Sequence, residues 1–190
     1  MRLPQLDHTT LEGDRRALYE DMKSGIEANF KGFTAIDDKG DLVGPWNPWL
    51  TFERFGAPVW SLVKALAQNP KLPGRVREVA ILVTGAHFHS EYELYAHIHV
   101  AENKELADAQ IRAIVSGSKP ADLNAQEALA YDFAAVLVTG KIVPEFLYRE
   151  MIETFGQDGT AEFIYLVGLY CMVSTTLNGF KVPLPADGDD

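Results

Sequence analysis

The sequence predicts an all-α protein of seven or eight helices with a central antiparallel helix pair. Three observations lead there. Apolar residues recur at three- and four-residue spacing along most of the chain, alternating β-branched runs are scarce, and short Pro- and Gly-containing segments separate the periodic stretches. At 190 residues the length suits one domain, 1–190, with one core. Apolar residues make up 47% and charged residues 23%, a mix that can build that core and excludes a disordered acidic chain.

Taken in order, Thr9-Thr10-Leu11-Glu12 offers a cap, and Leu11, Leu18, Met22, Ile26 and Phe30 follow at helical spacing, so a first long helix is expected over about 10–31. Residues 32–48 turn to Gly, Asp and Pro and end in Gly44-Pro45-Trp46-Asn47-Pro48-Trp49. Two prolines make this stretch an expected loop, completing an N-terminal segment of 1–50. Long loops inside compact domains carry function, so Trp46 is a candidate for lining a binding site, beside its alternative role of anchoring the loop. Helical spacing resumes over about 51–67 and stops at Asn69-Pro70.

Arg75 to about His87 is apolar nearly all round and reads as a central helix, with Ser90 to Asn103 as its partner. Shorter helices follow over about 105–116, 124–139 and 144–155. Asp158 can cap a last helix running to about Asn178, which Val182-Pro183-Leu184-Pro185 ends ahead of the tail at 181–190. Glu78-x-x-x-Leu82-Val83 is echoed by Glu162-x-x-x-Leu166-Val167, the spacing a decayed repeat leaves and also one that two apolar helices share by chance.

The net charge of -10 repels nucleic acid and anionic membranes, so neither is expected as a partner. An anionic substrate needs a local positive cluster against that field. The single Cys171 excludes an internal disulfide and a Cys-x-x-Cys motif, which suits a reducing, cytoplasmic compartment. Met1-Arg2-Leu3-Pro4-Gln5 does not open like a signal peptide, and the longest apolar run, Phe163 to Val173, is shorter than the roughly 20 residues a bilayer needs.

The chemistry concentrates in residues 87–99, where His87, His89, His97 and His99 stand with Glu91, Tyr92 and Glu93. His87-x-His89-x-x-x-Glu93 has the ligand spacing of a metal motif of the cupin β-barrels. It needs a strand, because at about 100° per residue two rings spaced i, i+2 on a helix point apart, so no metal is expected. The same rotation puts Ser90, Glu93 and His97 on one face, with His99 opposite. Glu78 shares an apolar stripe with Ile81, Leu82 and Gly85, and an acid directed at the core needs a partner. If the two helices form a hairpin, Glu78 approaches His97, either as a catalytic pair with shifted pKa values or as a structural one.

Arg77-Glu78-Val79-Ala80-Ile81-Leu82, followed by Glu91-Tyr92-Glu93-Leu94-Tyr95-Ala96-His97, resembles the core motif of the carboxymuconolactone decarboxylase family. That superfamily also contains the alkylhydroperoxidase D-like proteins. The resemblance is carried by residues 75–101; the Pro45-Trp46-Asn47 loop and the ending Asn178-x-Phe180-x-Val182-Pro183-Leu184-Pro185 are compatible with it. It implies the alkylhydroperoxidase D-like helical fold and a homo-oligomer, a trimer or hexamer.

In the family's peroxidase branch two cysteines three apart stand between the Glu and the His. Here Ser90 and Glu93 occupy those positions, and neither can reduce a peroxide through a disulfide. The decarboxylase branch lacks the cysteines and carries Glu-His-Glu-Leu, close to Glu91-Tyr92-Glu93-Leu94. The resemblance therefore implies a cofactor-free acid/base lyase acting on a small carboxylated lactone or related enolisable acid. His97 is the expected proton donor, Glu78 its orienting partner, Glu93 a second acid/base group and Tyr92 a hydrogen-bond donor to an oxyanion. Ser90, His89, Arg75, Arg77 and Trp46 are candidates for binding the substrate, the two arginines through its carboxylate. Peroxidase activity and a non-catalytic oligomeric binding protein are the alternatives.

Overall fold

The computed structural model describes residues 2–185, and all of its regular structure is helical apart from an isolated bridge between Ile36 and Leu42. Eight α-helices follow a short 3-10 turn at His8–Thr10: α1 (Gly13–Asn29), α2 (Trp46–Thr51), α3 (Glu53–Ala67), α4 (Gly74–Phe88), α5 (Glu91–Asn103), α6 (Asp108–Val115), α7 (Ala125–Val138) and α8 (Glu145–Phe180). The expected all-α class and the central helix pair are present.

α4 holds the centre because its sequence leaves no polar face: every residue from Glu78 to Gly85 is buried, and α5, α6, α7 and α8 all pack on it. Its turn into α5 is closed by His89 in the left-handed region (φ 49°), with the amide of Ser90 donating to the carbonyl of Gly85 and that of His89 to Ala86. The helices that share the Glu-x-x-x-Leu-Val spacing, α4 and α8, lie against each other, and Arg77 of one pairs with Glu162 of the other.

Two expectations about boundaries change and a third holds. α1 starts at Gly13, because Thr9 and Thr10 are spent in the 3-10 turn, where the Asp7 carboxylate accepts from the Thr9 amide. The Pro45-Trp46-Asn47-Pro48 stretch, expected to be a loop, forms α2. Pro45 is its cap and Pro48 lies in its first turn, where amides have no helical acceptor to lose, so neither proline breaks anything. The last two expected helices are present as the two arms of α8, which separate at Gly156, where φ of 71° and ψ of 177° are not helical.

α8 is also long and apolar enough to cross a membrane by length and composition, contrary to the expectation drawn from its longest run of apolar residues. Counting that run missed the small and hydroxyl residues that a spanning helix tolerates. In the fold Phe163, Leu166, Val167, Val173 and Leu177 of α8 are core residues. Of the expected tail, residues 186–190 lie outside the described ones.

The approach of α3 to α2 rests on one glycine. A Cβ at Gly56 would fall on the backbone carbonyl of Trp49, which cannot move without unwinding α2, whereas one at Gly168 of α8 meets nothing within 4 Å. Gly56→Ala should therefore lower stability by about 3 kcal/mol or more. Gly168→Ala should leave it unchanged or raise it by up to about 1 kcal/mol. Urea denaturation of both variants checks the contrast.

Candidate active site

Three titratable side chains meet where α5 crosses α4. Glu78 comes from the inward stripe of α4, and Glu93 and His97 lie one helical turn apart on the face of α5 that looks at it. His97 Nδ1 is 2.8 Å from Glu78 Oε2, and Nε2 is 3.7 Å from Glu93 Oε2. All three are more than nine-tenths buried. The crossing is close at Gly85, where a Cβ would stand 3.1 Å from Leu94 Cδ2, a flexible side-chain end that can give a few tenths of an ångström.

Burial and the Glu78 carboxylate together decide the protonation of this group. It pushes the Glu93 carboxyl up to about 7, against the pull of His97 and with help from the Glu78 charge. For His97 burial works toward the neutral ring, but the charge and hydrogen bond of Glu78, and then Glu93, outweigh it and raise the pKa above 6.5. Around neutral pH the set is a ring biased toward its protonated form by Glu78 beside a carboxyl that exchanges its proton around pH 7. Glu93 Oε2 has no hydrogen-bond partner among the described residues, so this oxygen is left to a ligand or water.

Two cavities adjoin the group. An inner chamber of about 30 Å³, room for a water or two, is walled by aromatic residues including Phe33, Trp46, Trp49 and Tyr92, with Glu93 and His97 as its acid/base edge. An outer groove of about 500 Å³ reaches Glu78 and His97 from the other side and carries Lys31, Arg77 and Lys104. Phe30, Val63, His97, Leu169 and Tyr170 line both.

Tyr170 is a residue that sequence reasoning missed. It sits on α8, and its ring meets that of His97 edge-on, with centroids 5.0 Å apart at 87°. Burial, then the Glu93 and Glu78 charges, holds its phenol well above 10, so it is neutral at any working pH. No spacing rule could find it, because it lies far along the chain from the histidine cluster in a helix that reads as core. Lys31 and Lys104 escaped notice similarly, being single basic residues at the ends of α1 and α5.

The expected site residues divide. Glu78, Glu93, His97, Tyr92 and Trp46 are brought together, and the Trp46 Nε1 donor is buried in the wall without a partner. Tyr92 differs from its expected role as an oxyanion donor: its hydroxyl donates to the carbonyl of Thr34 at 2.7 Å and ties down the loop. Arg77 borders the groove but is paired with Glu162. Arg75 points elsewhere, bonded to Glu127 at 2.6 Å and to the Glu105 carbonyl, because the far side of α4 faces α6 and α7. His89 is exposed in the turn, since the helix ends before the stripe reaches it, and Ser90 is buried with its hydroxyl unpartnered.

His87 is exposed like His89, while Glu93 is buried, so the metal-like spacing does not converge. Among the described residues, Asp7, His8 and Asp41 have carboxylate and imidazole atoms close enough to share an ion; His8 Nδ1 is 2.8 Å from Asp41 Oδ1, and the ring stacks on Tyr19. These contacts hold the N-terminal segment on the loop.

Comparison with solved structures finds the same helical arrangement. The chain aligns with an uncharacterized peroxidase-related protein with an alkylhydroperoxidase AhpD core from Ralstonia eutropha JMP134, at TM-score 0.78 and 14% identity, over 98% of this chain and 93% of that one. It also aligns with the apo debrominase Bmp8 (TM-score 0.72, 12% identity, 94% of this chain and 91% of that one). A Bmp8 variant in complex with 2,3,4-tribromopyrrole gives TM-score 0.69 and 14% identity, with the same coverage. No protein-family model and no curated protein matches by sequence. The fold is the AhpD-like helical fold; identities this low carry the architecture and leave the chemistry to the residues of this chain.

Two measurements check the electrostatics. Glu78→Gln removes the principal influence holding the imidazolium, so the His97 pKa, followed by NMR, should fall from above 6.5 toward or below it. For Glu93, a folded pKa raised from 4.5 to about 7 gives stability that is complete below about pH 4.5 and is lost as pH rises through 7. Glu93→Gln should therefore gain on the wild type between pH 5 and 8, by on the order of 3 kcal/mol. A difference that stays flat with pH would show that Glu93 does not titrate there.

Proposed function

We propose that the chain is an acid/base enzyme, a carbon-carbon lyase of the carboxymuconolactone decarboxylase type that needs no cofactor and acts on a small carboxylated lactone or related enolisable acid. The observation that carries this reading is the buried Glu78-His97-Glu93 group at the junction of an aromatic chamber and a groove lined by positive charge. Loss of carbon dioxide breaks the bond to the carboxylate and leaves its electron pair on the adjacent carbon and its conjugated carbonyl as an enolate. A proton must then return to carbon. His97, kept protonated by Glu78, supplies it, and Glu93 restores the proton to the imidazole.

Lys31 and Lys104, beside an Arg77 already paired with Glu162, supply the positive charge that a net charge of -10 requires for an anionic substrate. Arg75, committed to Glu127, has no part in this reading. A homo-oligomer belongs to the same reading, and the exposed Phe55, Phe146 and Tyr165 are surfaces it would cover.

Peroxide reduction fits the residues less well despite a peroxidase-related neighbour of the same fold. Ser90 and Glu93 stand in place of the thiol pair, and burial raises the pKa of the single Cys171, which leaves it a poor nucleophile.

A panel of lactone acids and keto acids compared across variants tests the proposal. His97→Ala should lower turnover by about 10²–10⁴-fold, and Glu78→Gln should also lower it and shift the pH profile to the acid side. Activity indifferent to both would remove this site from the reaction. A dithiol-coupled peroxide assay should show no turnover; turnover that disappears in Cys171→Ser would instead favour the peroxidase reading.

A further inference from the structure

Of the five residues that line both cavities, Phe30, Val63 and Leu169 are apolar and His97 is bonded to Glu78. Tyr170 is the fifth, and its hydroxyl makes no hydrogen bond to any described group. Tyr170 is partly buried, so its hydroxyl stays open to the space between groove and chamber, whereas Trp46 Nε1 in the chamber wall is a buried donor without an acceptor among the described residues. An unsatisfied donor in a low-dielectric interior costs about 1–3 kcal/mol, so Trp46 calls for an acceptor, and the Tyr170 hydroxyl is free to share it.

The structure assigns Tyr170, we propose, as the oxyanion donor of this site: its hydroxyl binds the oxygen of an enolate or phenolate-like ligand at the boundary between groove and chamber, with Trp46 Nε1 as the second neutral donor. The ligand class that follows is a flat, conjugated ring or lactone bearing an oxygen that carries negative charge when bound.

The surroundings accommodate that charge. When Glu93 holds its proton and Glu78 is matched by a protonated His97, the group has no net charge, and Lys31 and Lys104 border the groove beside the Arg77-Glu162 pair. A neutral phenol also suits the task better than another cation, because it cannot take over the pairing of Glu78 or Glu93. It strengthens its hydrogen bond as charge develops on the acceptor. A ring lying in the groove of about 500 Å³ can present its oxygen at the Tyr170 boundary, on the side of the chamber that Trp46 lines, while the ring itself stays outside the smaller chamber.

The catalytic part of this inference rests on the acid/base reading above, but oxyanion binding can be tested without turnover. The probe is 4-nitrophenol, whose visible absorption reports its ionised form, titrated into the full chain. The wild type should bind it and raise its ionised fraction. Tyr170→Phe, which keeps the ring against His97, should weaken binding by about tenfold or more at an unchanged circular dichroism spectrum. On the wild type, the probe should bring out a downfield tyrosine hydroxyl proton resonance in NMR, a readout that holds even if the variant does not fold. Equal affinity in Tyr170→Phe, or no such resonance, overturns the proposal. Probe binding through Tyr170 together with turnover unaffected by His97→Ala would leave the oxyanion site standing and remove the acid/base reading.

Discussion

A carboxylate inside the central helix sets the terms for this fold. Glu78 sits among Val79, Ile81 and Leu82 on α4, where an unpaired charge is not tolerated, and His97 is placed 2.8 Å away to receive it. That contact fixes the register of α5 on α4. It is accompanied by the tight turn at His89 and the close approach at Gly85, and it puts Glu93 one turn before His97 in the same buried environment. Removing either partner of a buried ionic pair costs about 3–5 kcal/mol, so the group is a structural element whatever chemistry it performs.

The rest of the molecule seals and supplies that contact. α8 lays Leu166, Leu169 and Tyr170 beside the pair, and the Arg77-Glu162 link joins α8 to α4 one residue away from Glu78. The α2 region closes the other side with Trp46 and Trp49, and the Tyr92 hydroxyl holds the preceding loop by Thr34. The site is therefore dry and aromatic within and basic at its outer mouth. Glu93 is driven toward neutrality by the former, and the latter sets a local positive charge against the acidic balance of the chain.

The places where sequence reasoning succeeded and failed share a physical logic. The Glu78-His97 pair was legible because both residues lie on a hairpin of consecutive helices, where about 100° per residue predicts which side chains face each other. Arg75 was misplaced because helical periodicity says which face a residue occupies and not which neighbour covers that face; α6 and α7 cover it and offer Glu127. The prolines of α2 were read as breakers although in a first turn they break nothing. Tyr92 was assigned by its place in a motif, and its hydroxyl had already been taken by a backbone carbonyl of the N-terminal loop.

The amino-acid sequence by itself determined the helical class, the central apolar helix, the absence of a thiol pair and the three acid/base residues, because each depends on composition or on spacing within a short stretch. Only the tertiary structure decided that Tyr170, Lys31 and Lys104 border the same site, that His89 and Arg75 do not, and that Glu93 lies deep enough for its pKa to rise to about 7. Those outcomes depend on which remote elements pack together and on how much water they exclude, and local periodicity contains neither.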